Sequence, residues 1–550
     1  MIILGLNQVP GMLGWMHDSA AAIVKDGEII ATAEEERFNR LRHYRGTPKM
    51  AIEYCLKEAK ITLAEVDVIA IANNPYAPFK HFRPNLHPVN FFRDLANIFI
   101  FEHYKRELKK STKAEVVFVD HHLAHAASTY YCSGFDKANV LTIDGSGETE
   151  SFAFFIGEQG TLKRVWDIPL GSLFTKKKGQ SIGGVYSRMT AFLKLGVHGE
   201  GKTMGLASYG EAKYDFSKIL DIKTHTDFVI NRQNIQTIYS SLERADENAP
   251  LTQEHKDLAA SLQSALETSI VNLAREAFKH TQIRKFALAG GVALNCNTNT
   301  RVLLEDFCDE LFLQPAAHDG GIALGAALQL SAVKGNVPAS RLTHAYYGPG
   351  FSNAEIEKLL KNAKLKYQYY EHIEPVTARY ITSGKIVAWF QGRMEMGPRA
   401  LGNRSILADP TLIGINDKIN EQVKHREVWR PFAPSVVEES ASKYFMGVDK
   451  AKESPFMLHT FYVKDEYKGI FPAITHIDGS SRIQTVRKDQ NERYHTLMKE
   501  IEKINGHPIV LDTSLNDKGE PIVCTPQDAV RCFYATGIDV LVIGNFVLEK

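Results

Sequence analysis

The chain has 550 residues, enough for three or four packed units at roughly 100–200 residues each. It is 44% hydrophobic and 23% charged, a soluble globular balance that excludes disordered, collagen-like and coiled-coil readings. Lys plus Arg is 65 against 64 Asp plus Glu, so the net charge of +1 lacks the basic excess of a dedicated nucleic-acid binder. The six cysteines form no C-x-x-C pair, which argues against a zinc ribbon or a thioredoxin-like site, and they are too sparse for a disulfide framework. The opening MIILGLNQVPGMLGW lacks the basic start and long apolar core of a signal peptide. No apolar run, residues 386–390 included, is long enough to span a bilayer. The expectation is a cytoplasmic protein with no membrane or nucleic-acid partner.

In chain order, short β-branched runs alternate with helical patterns, which reads as α/β. Residues 2–6 predict a buried strand, and residues 20–24 and 28–33 flank the turn signal Lys25-Asp26-Gly27. A strand over 115–119 feeds Asp120-His121-His122-Leu123-Ala124-His125, with Asp120 as the N-cap of a helix. The pattern then returns. Residues 140–143 form a strand, Asp144-Gly145-Ser146-Gly147 follow, and a hairpin of 152–156 with 161–165 turns at residues 157–160. This recurrence predicts two related lobes, with spacing too irregular for a solenoid. Residues 187–195 read as a helix, 211–285 as polar and mostly helical, and 285–288 as a strand entering Ala289-Gly290-Gly291. GGIALGAALQL, residues 320–330, is a small-residue helix suited to tight packing. YYGPGFS at 346–352 punctuates the chain, so the boundary is placed within 350–375, separating modules 1–355 and 370–550.

His121 and His125 are i, i+4 on one helix face, where the helix dipole disfavours imidazolium and leaves the neutral ring that a metal requires. Hydrogen-bonded core histidines are the bland alternative. Three histidines in five residues at a strand-to-helix junction favour metal. Oxygen ligands would come from Asp144 and Asp319, each of which, taken alone, is more often a cap or turn residue. Two His with one or two Asp suit iron, manganese or zinc with an open position. Glycine segments at 145–147, 199–202 and 290–291 allow backbone approach to phosphates. GVHGEGKT matches the P-loop string, but a helix rather than a strand precedes it, so the match is accidental. Arg393, Arg399 and Arg404 are interleaved with glycines in QGRMEMGPRALGNRS, and Lys424-His425-Arg426 and Trp429-Arg430-Pro431-Phe432 follow. That density of cations in a neutral chain points to an anionic small molecule. A solvated basic face would leave the glycines and embedded apolar residues unexplained. Gly479-Ser480-Ser481-Arg482 and Asp512-Thr513-Ser514-Leu515-Asn516 add loop donors. His17-Asp18-Ser19 has triad composition, yet adjacent side chains diverge, so His17 is a candidate base or a turn residue.

HDSAAAIVKDGEIIATAEEERFNR, DHHLAHAASTYYCSGF, GEGKTMGLASYG, GGVALNCNTN, GRMEMGPRALGNRSILADP, REVWRPFAPSV and LDTSLNDKGEPIVCTP together resemble the O-carbamoyltransferases of antibiotic and nodulation-factor biosynthesis. The match runs in order from residue 1 to about 540. The resemblance implies an α/β protein. Its N-terminal module would be two-lobed and actin-like, similar to threonylcarbamoyl-adenosine tRNA-modifying enzymes, and its C-terminal module YrdC-like. It implies that carbamoyl phosphate and ATP, with Mg, give carbamoyl-AMP in the C-terminal module. The carbamoyl group would then pass, at an N-terminal site holding a divalent metal, iron(II) first, to a hydroxyl of a small-molecule acceptor. Carried over by motif, His121, His125, Asp144 and Asp319 would be the ligands, with His17 and Asp18 beside the reacting hydroxyl. Gly145, Ser146, Gly201, Lys202, Gly290, Gly291 and Asn295 would meet the nucleotide, and Arg399, Lys424, Arg430, Arg482 and Ser514 the carbamoyl phosphate. The long opening NQVPGMLGWMHDS departs from the family pattern, so acceptor identity does not carry over. A fused tRNA threonylcarbamoylation enzyme and a non-catalytic actin-like ATP switch are the rival readings, and the oligomeric state is left open.

Overall fold

A computed structural model describes residues 1–8, 10–11, 17–80, 88–170, 180–338, 340–427 and 429–550. The chain divides into two compact units, residues 1–35 with 43–342 and residues 36–42 with 343–550. The short helix Glu36–Asn39 therefore packs with sequence more than 300 residues away. Within the second unit, Arg37 donates to the Gly397 carbonyl at 2.7 Å, and Arg40 donates to those of Pro521 and Ile522 at 2.6 and 2.7 Å. A boundary drawn along the chain cannot express that excursion.

The first unit holds two five-stranded sheets built to one plan. The first sheet runs Glu28–Glu34, Ala20–Lys25, Ile2–Asn7, Val68–Ile71, Glu115–Phe118. The second runs Thr161–Pro169, Glu150–Glu158, Lys137–Ile143, Lys285–Ala289, Glu310–Leu313. In both, the first three strands in chain order are antiparallel and the last two run parallel to the first. The recurrence visible in the sequence is this duplicated 3-2-1-4-5 order, the strand plan of the actin-like ATPase fold. Ile2–Asn7 and Lys137–Ile143, the middle strand of each sheet, are buried along nearly their whole length. Such strands read as continuous apolar runs because both faces are covered.

The helix Ile322–Val333 explains its own composition. A Cβ at Gly325 would lie 1.9 Å from the Ala124 carbonyl oxygen, and one at Gly5 would lie 1.9 Å from that of Ala323. Backbones thus touch where the helix meets His121–Ser133 on one side and the first strand on the other. Between residues 211 and 285, where the sequence reads as mostly helical, a two-stranded sheet of Leu220–Ile222 and Phe228–Ile230 precedes the long helix Gln253–Thr281. Strands of three residues are too short for a period of two to register.

The second unit is built on a ten-stranded mixed sheet. Near its middle, Val387–Phe390 lies beside Arg404–Ala408, Ile509–Ser514, Ala433–Val437 and Ser480–Val486 in that order. Trp389, Tyr494, Leu497 and Val542 belong to the core on this sheet. Those strands deliver the loops that carry the cationic residues.

Gly325→Ala is expected to cost about 1–3 kcal/mol, because the added methyl meets backbone that cannot swing aside. Gly201→Ala, in a helix with no atom within 4 Å of the new methyl, should be neutral or stabilising. Thermal unfolding of the two variants checks this. Equal melting temperatures would mean that the helix can slide to relieve the clash.

Candidate functional site

His121 and His125 lie in the first turns of the helix His121–Ser133, Asp144 ends the strand Lys137–Ile143, and Asp319 opens the turn before Ile322–Val333. These three segments bring four buried side chains together. His121 Nε2 is 3.2 Å from Asp144 Oδ2 and 3.7 Å from Asp319 Oδ1, and His125 Nε2 is 4.0 and 3.5 Å from the same atoms. One ligand atom from each residue lies within 4.8 Å of the others. His122, between them, turns into the core, with Nδ1 2.7 Å from Thr142 Oγ1 and Nε2 3.1 Å from the Glu150 carbonyl oxygen.

Asp120 occupies the N-cap position, but its carboxylate does not cap the helix. Asn74 Nδ2 donates to it at 2.7 Å, and Glu148 instead accepts the His121 backbone N–H at 3.0 Å. The cap comes from a residue 27 positions away, which local sequence rules cannot supply.

Burial drives His122 and His125 toward the neutral form, as the dipole argument expects. His121 behaves differently. Burial lowers it too, but Asp319 and Asp144 outweigh that and lift it to about 9. Asp144 is held far below the usual carboxylate range by the two imidazoles, against the effect of burial. The helix dipole is a partial charge and two nearby carboxylates are not, so at His121 the carboxylates outweigh the dipole. His125 Nε2 has the 3.5 Å approach of Asp319 Oδ1, and Nδ1 is buried with no hydrogen-bond partner among the described residues. A buried nitrogen in that state is costly unless a further ligand completes it.

Beside this cluster, Asn7 Nδ2 donates to the carbonyls of His17, Asp18 and Asp319 at 3.2, 3.0 and 2.9 Å. One amide thus fixes two loops more than 300 residues apart in sequence. His17 Nδ1 is 2.6 Å from Asp18 Oδ2, so the argument that adjacent side chains diverge does not hold here. Asp18 has a left-handed backbone (φ +59°), which turns its carboxylate back onto its neighbour. Ser19 Oγ donates to the Gly46 carbonyl instead, so no Ser-His-Asp triad forms. Burial lowers the His17 imidazole, but the Asp18 bond and the charges of Asp319, Asp18 and Asp144 raise it to about 9. His43 and His198 join this group, with His43 Nδ1 2.7 Å from the other Asp18 oxygen. Neither was singled out from the sequence, since each stands alone in its local stretch. Residues 9 and 12–16 of the departing NQVPGMLGWMHDS loop lie outside the described residues.

Two of the glycine segments meet at Asp144. Gly291 N–H donates to Asp144 Oδ1 at 2.8 Å, Ser181 Oγ donates to the Gly145 carbonyl, and Ser146 is exposed next to it. A Cβ at Gly290 (φ +92°) would lie 2.2 Å from the Ile143 carbonyl oxygen, so no other residue fits there. Gly201 and Lys202 open the helix Glu200–Ala207, which follows the helix Ile182–Phe192 rather than a strand. Asn295 caps the helix Cys296–Leu303 and exchanges hydrogen bonds with Gln263.

In the second unit, Lys424, Arg426, Arg430 and Arg482 form a buried or half-buried cationic group. Burial, then Arg426 and Arg430, push Lys424 down to about 7, while burial, Arg430 and Arg482 bring Arg426 to about 9. Burial also lowers Arg430, with Arg482 and Arg42 adding to it against Glu427. Lys424 Nζ donates to the Ser514 carbonyl, to the Asn516 carbonyl at 3.1 Å and to Asn516 Oδ1 at 2.7 Å. Ser514 Oγ donates to Asn516 Oδ1 at 2.7 Å. Arg399 is half-buried in the loop before Arg404–Ala408. The other two glycine-interleaved arginines are structural. Arg404 is buried over the Phe390 ring and donates to the Pro349 carbonyl at 2.9 Å, and Arg393 donates to that of Tyr347 at 2.7 Å. Arg426 was noted in the sequence without being given a role.

The described residues contain no helix long and apolar enough to cross a membrane. Two family models, described as carbamoyltransferase N-terminus and carbamoyltransferase C-terminus, match residues 8–328 and 378–550. The chain is 37% identical to nodulation protein NolNO of Sinorhizobium fredii, over 98% of this chain and 79% of that protein. It is 37% identical to nodulation protein NolO of Bradyrhizobium diazoefficiens, covering 78% and 79% respectively. To the 3'-hydroxymethylcephem-O-carbamoyltransferase of Amycolatopsis lactamdurans it is 32% identical, over 63% of this chain and 64% of that enzyme. With both family models satisfied in order on one chain, this protein belongs to the carbamoyltransferase family.

Proposed function

We propose that the chain is an ATP-dependent O-carbamoyltransferase. In its second unit water would cleave carbamoyl phosphate to carbamate and phosphate, and the carbamate would displace pyrophosphate from ATP to give carbamoyl-AMP. The first unit would use that adenylate. The observation that carries this reading is the presence of two unlike charged sites, one in each unit. A buried group of two imidazoles and two carboxylates lies in the first, and a buried cationic group lies in the second. Arg426, Arg430 and Arg482 would neutralise the phosphoryl oxygens of carbamoyl phosphate, since clustered guanidinium groups suit phosphate geometry. Lys424 would hold the Ser514–Asn516 loop against the same anion, with Arg399 as a further donor. The exposed Gly145-Ser146 backbone and Gly290 would border the nucleotide.

In the first unit, His121, His125, Asp144 and Asp319 have the donor set for a divalent metal, iron(II) ahead of manganese or zinc. When bound, such an ion would polarise the carbamoyl carbonyl as a Lewis acid. His17, held by Asp18, would sit against the acceptor hydroxyl. The acceptor hydroxyl would give its proton to solvent as its oxygen bonds to the carbamoyl carbon and the bond to the phosphoryl oxygen breaks, and AMP would leave with that electron pair. Burial of both sites would keep water from the labile adenylate. The acceptor would be a small molecule bearing a hydroxyl, and the protein would work in the cytoplasm.

AMP and pyrophosphate should appear only when ATP and carbamoyl phosphate are supplied together, as read by nucleotide chromatography. ADP as the product would sink the adenylate scheme.

The half-reactions should also separate by mutation. Arg430→Ala is expected to cut pyrophosphate release by about 30- to several thousand-fold, the 2–5 kcal/mol of an unpaired buried charge. His121→Ala or Asp319→Ala should lose bound metal and carbamoyl transfer while still releasing pyrophosphate. Loss of pyrophosphate release in all three variants would place the chemistry in one site.

Lys424 supplies a pH test. Its ammonium is charged below about 7 and neutral above it, so above pH 7 anion binding must take up a proton. Carbamoyl phosphate should therefore bind more weakly at pH 8.5 than at pH 6.5, by up to about tenfold per pH unit. Calorimetry on the wild type and on Lys424→Met decides this, because the variant should lose the slope. A pH-independent affinity in the wild type would refute the role of Lys424.

A further inference from the structure

A second histidine group lies outside the four-residue cluster and shares no residue with it: His17, His43 and His198. One ligand nitrogen from each is within 4.8 Å of the other two, and all three rings are half-buried, so solvent can reach the group. The ring centroids of His17 and His198 are 4.7 Å apart, and those of His43 and His198 are 3.9 Å apart. A tetrahedral ion about 2.0–2.1 Å from each nitrogen needs them roughly 3.3 Å apart, and the His43 and His198 rings, stacked at 26° to one another, would have to turn edge-on to share it.

The support around the rings is unusual for chance packing. The two oxygens of buried Asp18 hold Nδ1 of His17 at 2.6 Å and Nδ1 of His43 at 2.7 Å. That commits Nδ1 on both rings and makes Nε2 the nitrogen each can offer, as carboxylates behind metal-bound histidines do. Asp18, His43 and His198 have φ of +59°, +52° and +57°. Left-handed backbone costs a non-glycine residue free energy, and such residues gather where geometry serves a site. Three of them converge on one triad of imidazoles.

We infer that His17, His43 and His198 form a second divalent-metal site of the zinc class, oriented by Asp18, whose open fourth position takes the hydroxyl of the carbamoyl acceptor. Once zinc has displaced a proton from His17 to solvent, three neutral nitrogen ligands with one open position suit it and lower the pKa of a bound O–H. The acceptor hydroxyl gives its proton to solvent water, and its oxygen then bonds to the carbamoyl carbon while AMP leaves. The role of the open position rests on the carbamoyl-transfer reading above, whereas the metal site itself does not.

The test measures zinc held by the full-length chain after chelator stripping, loading with Zn²⁺ and desalting. Two equivalents per chain are expected. His43→Asn/His198→Asn should keep one, and asparagine tolerates the left-handed backbone at both positions. His121→Ala/His125→Ala should keep the other. One equivalent in the wild type, or two in the Asn double variant, overturns the site. Should the double variant fail to fold, zinc titration of single His198→Asn decides. At least tenfold weaker binding of one equivalent is expected, and an unchanged isotherm overturns the site. Asp18→Asn should weaken the same equivalent by about 10–100-fold. Two equivalents without pyrophosphate release from ATP and carbamoyl phosphate would sink the transfer reading and leave the metal site standing. Pyrophosphate release with one equivalent would sink the metal site alone.

Discussion

Burying two carboxylates beside two imidazoles sets the terms for the whole first unit. Desolvated charge is expensive unless it is matched at close range. Asp144 and Asp319 raise His121 to about 9 against the effect of its burial. Under the proposed reading, a divalent cation held by these four residues would be the complement. The segments around this cluster are held by close backbone approaches and by hydrogen bonds between distant parts of the chain.

Those contacts are backbone approaches and one shared amide. Gly325 and Gly5 let the helix Ile322–Val333 press on Ala124 and on the first strand, which holds Asp319 level with the first turns of the histidine helix. Asn7 then ties the Asp319 turn to the His17-Asp18 loop. Metal-type ligands and the histidines beside them are therefore parts of one packed arrangement. Electrostatics couples them as well, since Asp144 and Asp319 contribute to raising His17. Neutralising those carboxylates would bring His17 back toward an ordinary imidazole.

The second unit poses the opposite problem. Lys424, Arg426 and Arg430 are pushed down by burial and by neighbouring cations. Arginine content alone did not identify these residues. Arg393 and Arg404, in the richest stretch of the sequence, spend their guanidinium groups on backbone carbonyls and the Phe390 ring.

By itself the sequence determined the class of fold and the pieces of the site. Continuous apolar strands, hairpin turns and their recurrence follow from periodicity, which is a local property, and they correspond to the two sheets of 3-2-1-4-5 order. The His121/His125 spacing and the Asp-containing loops after strands were legible for the same reason. Tertiary structure decided everything that depends on partners distant along the chain. It assigned the helix cap to Glu148 instead of Asp120, made His121 differ from His125, and folded Asp18 back onto His17 through a left-handed backbone. It also joined His43 and His198 to that pair and sent residues 36–42 into the second unit. Each outcome turns on a charge or a hydrogen bond acting across a few ångströms of space between residues up to several hundred positions apart, and no local pattern in a sequence encodes such a distance.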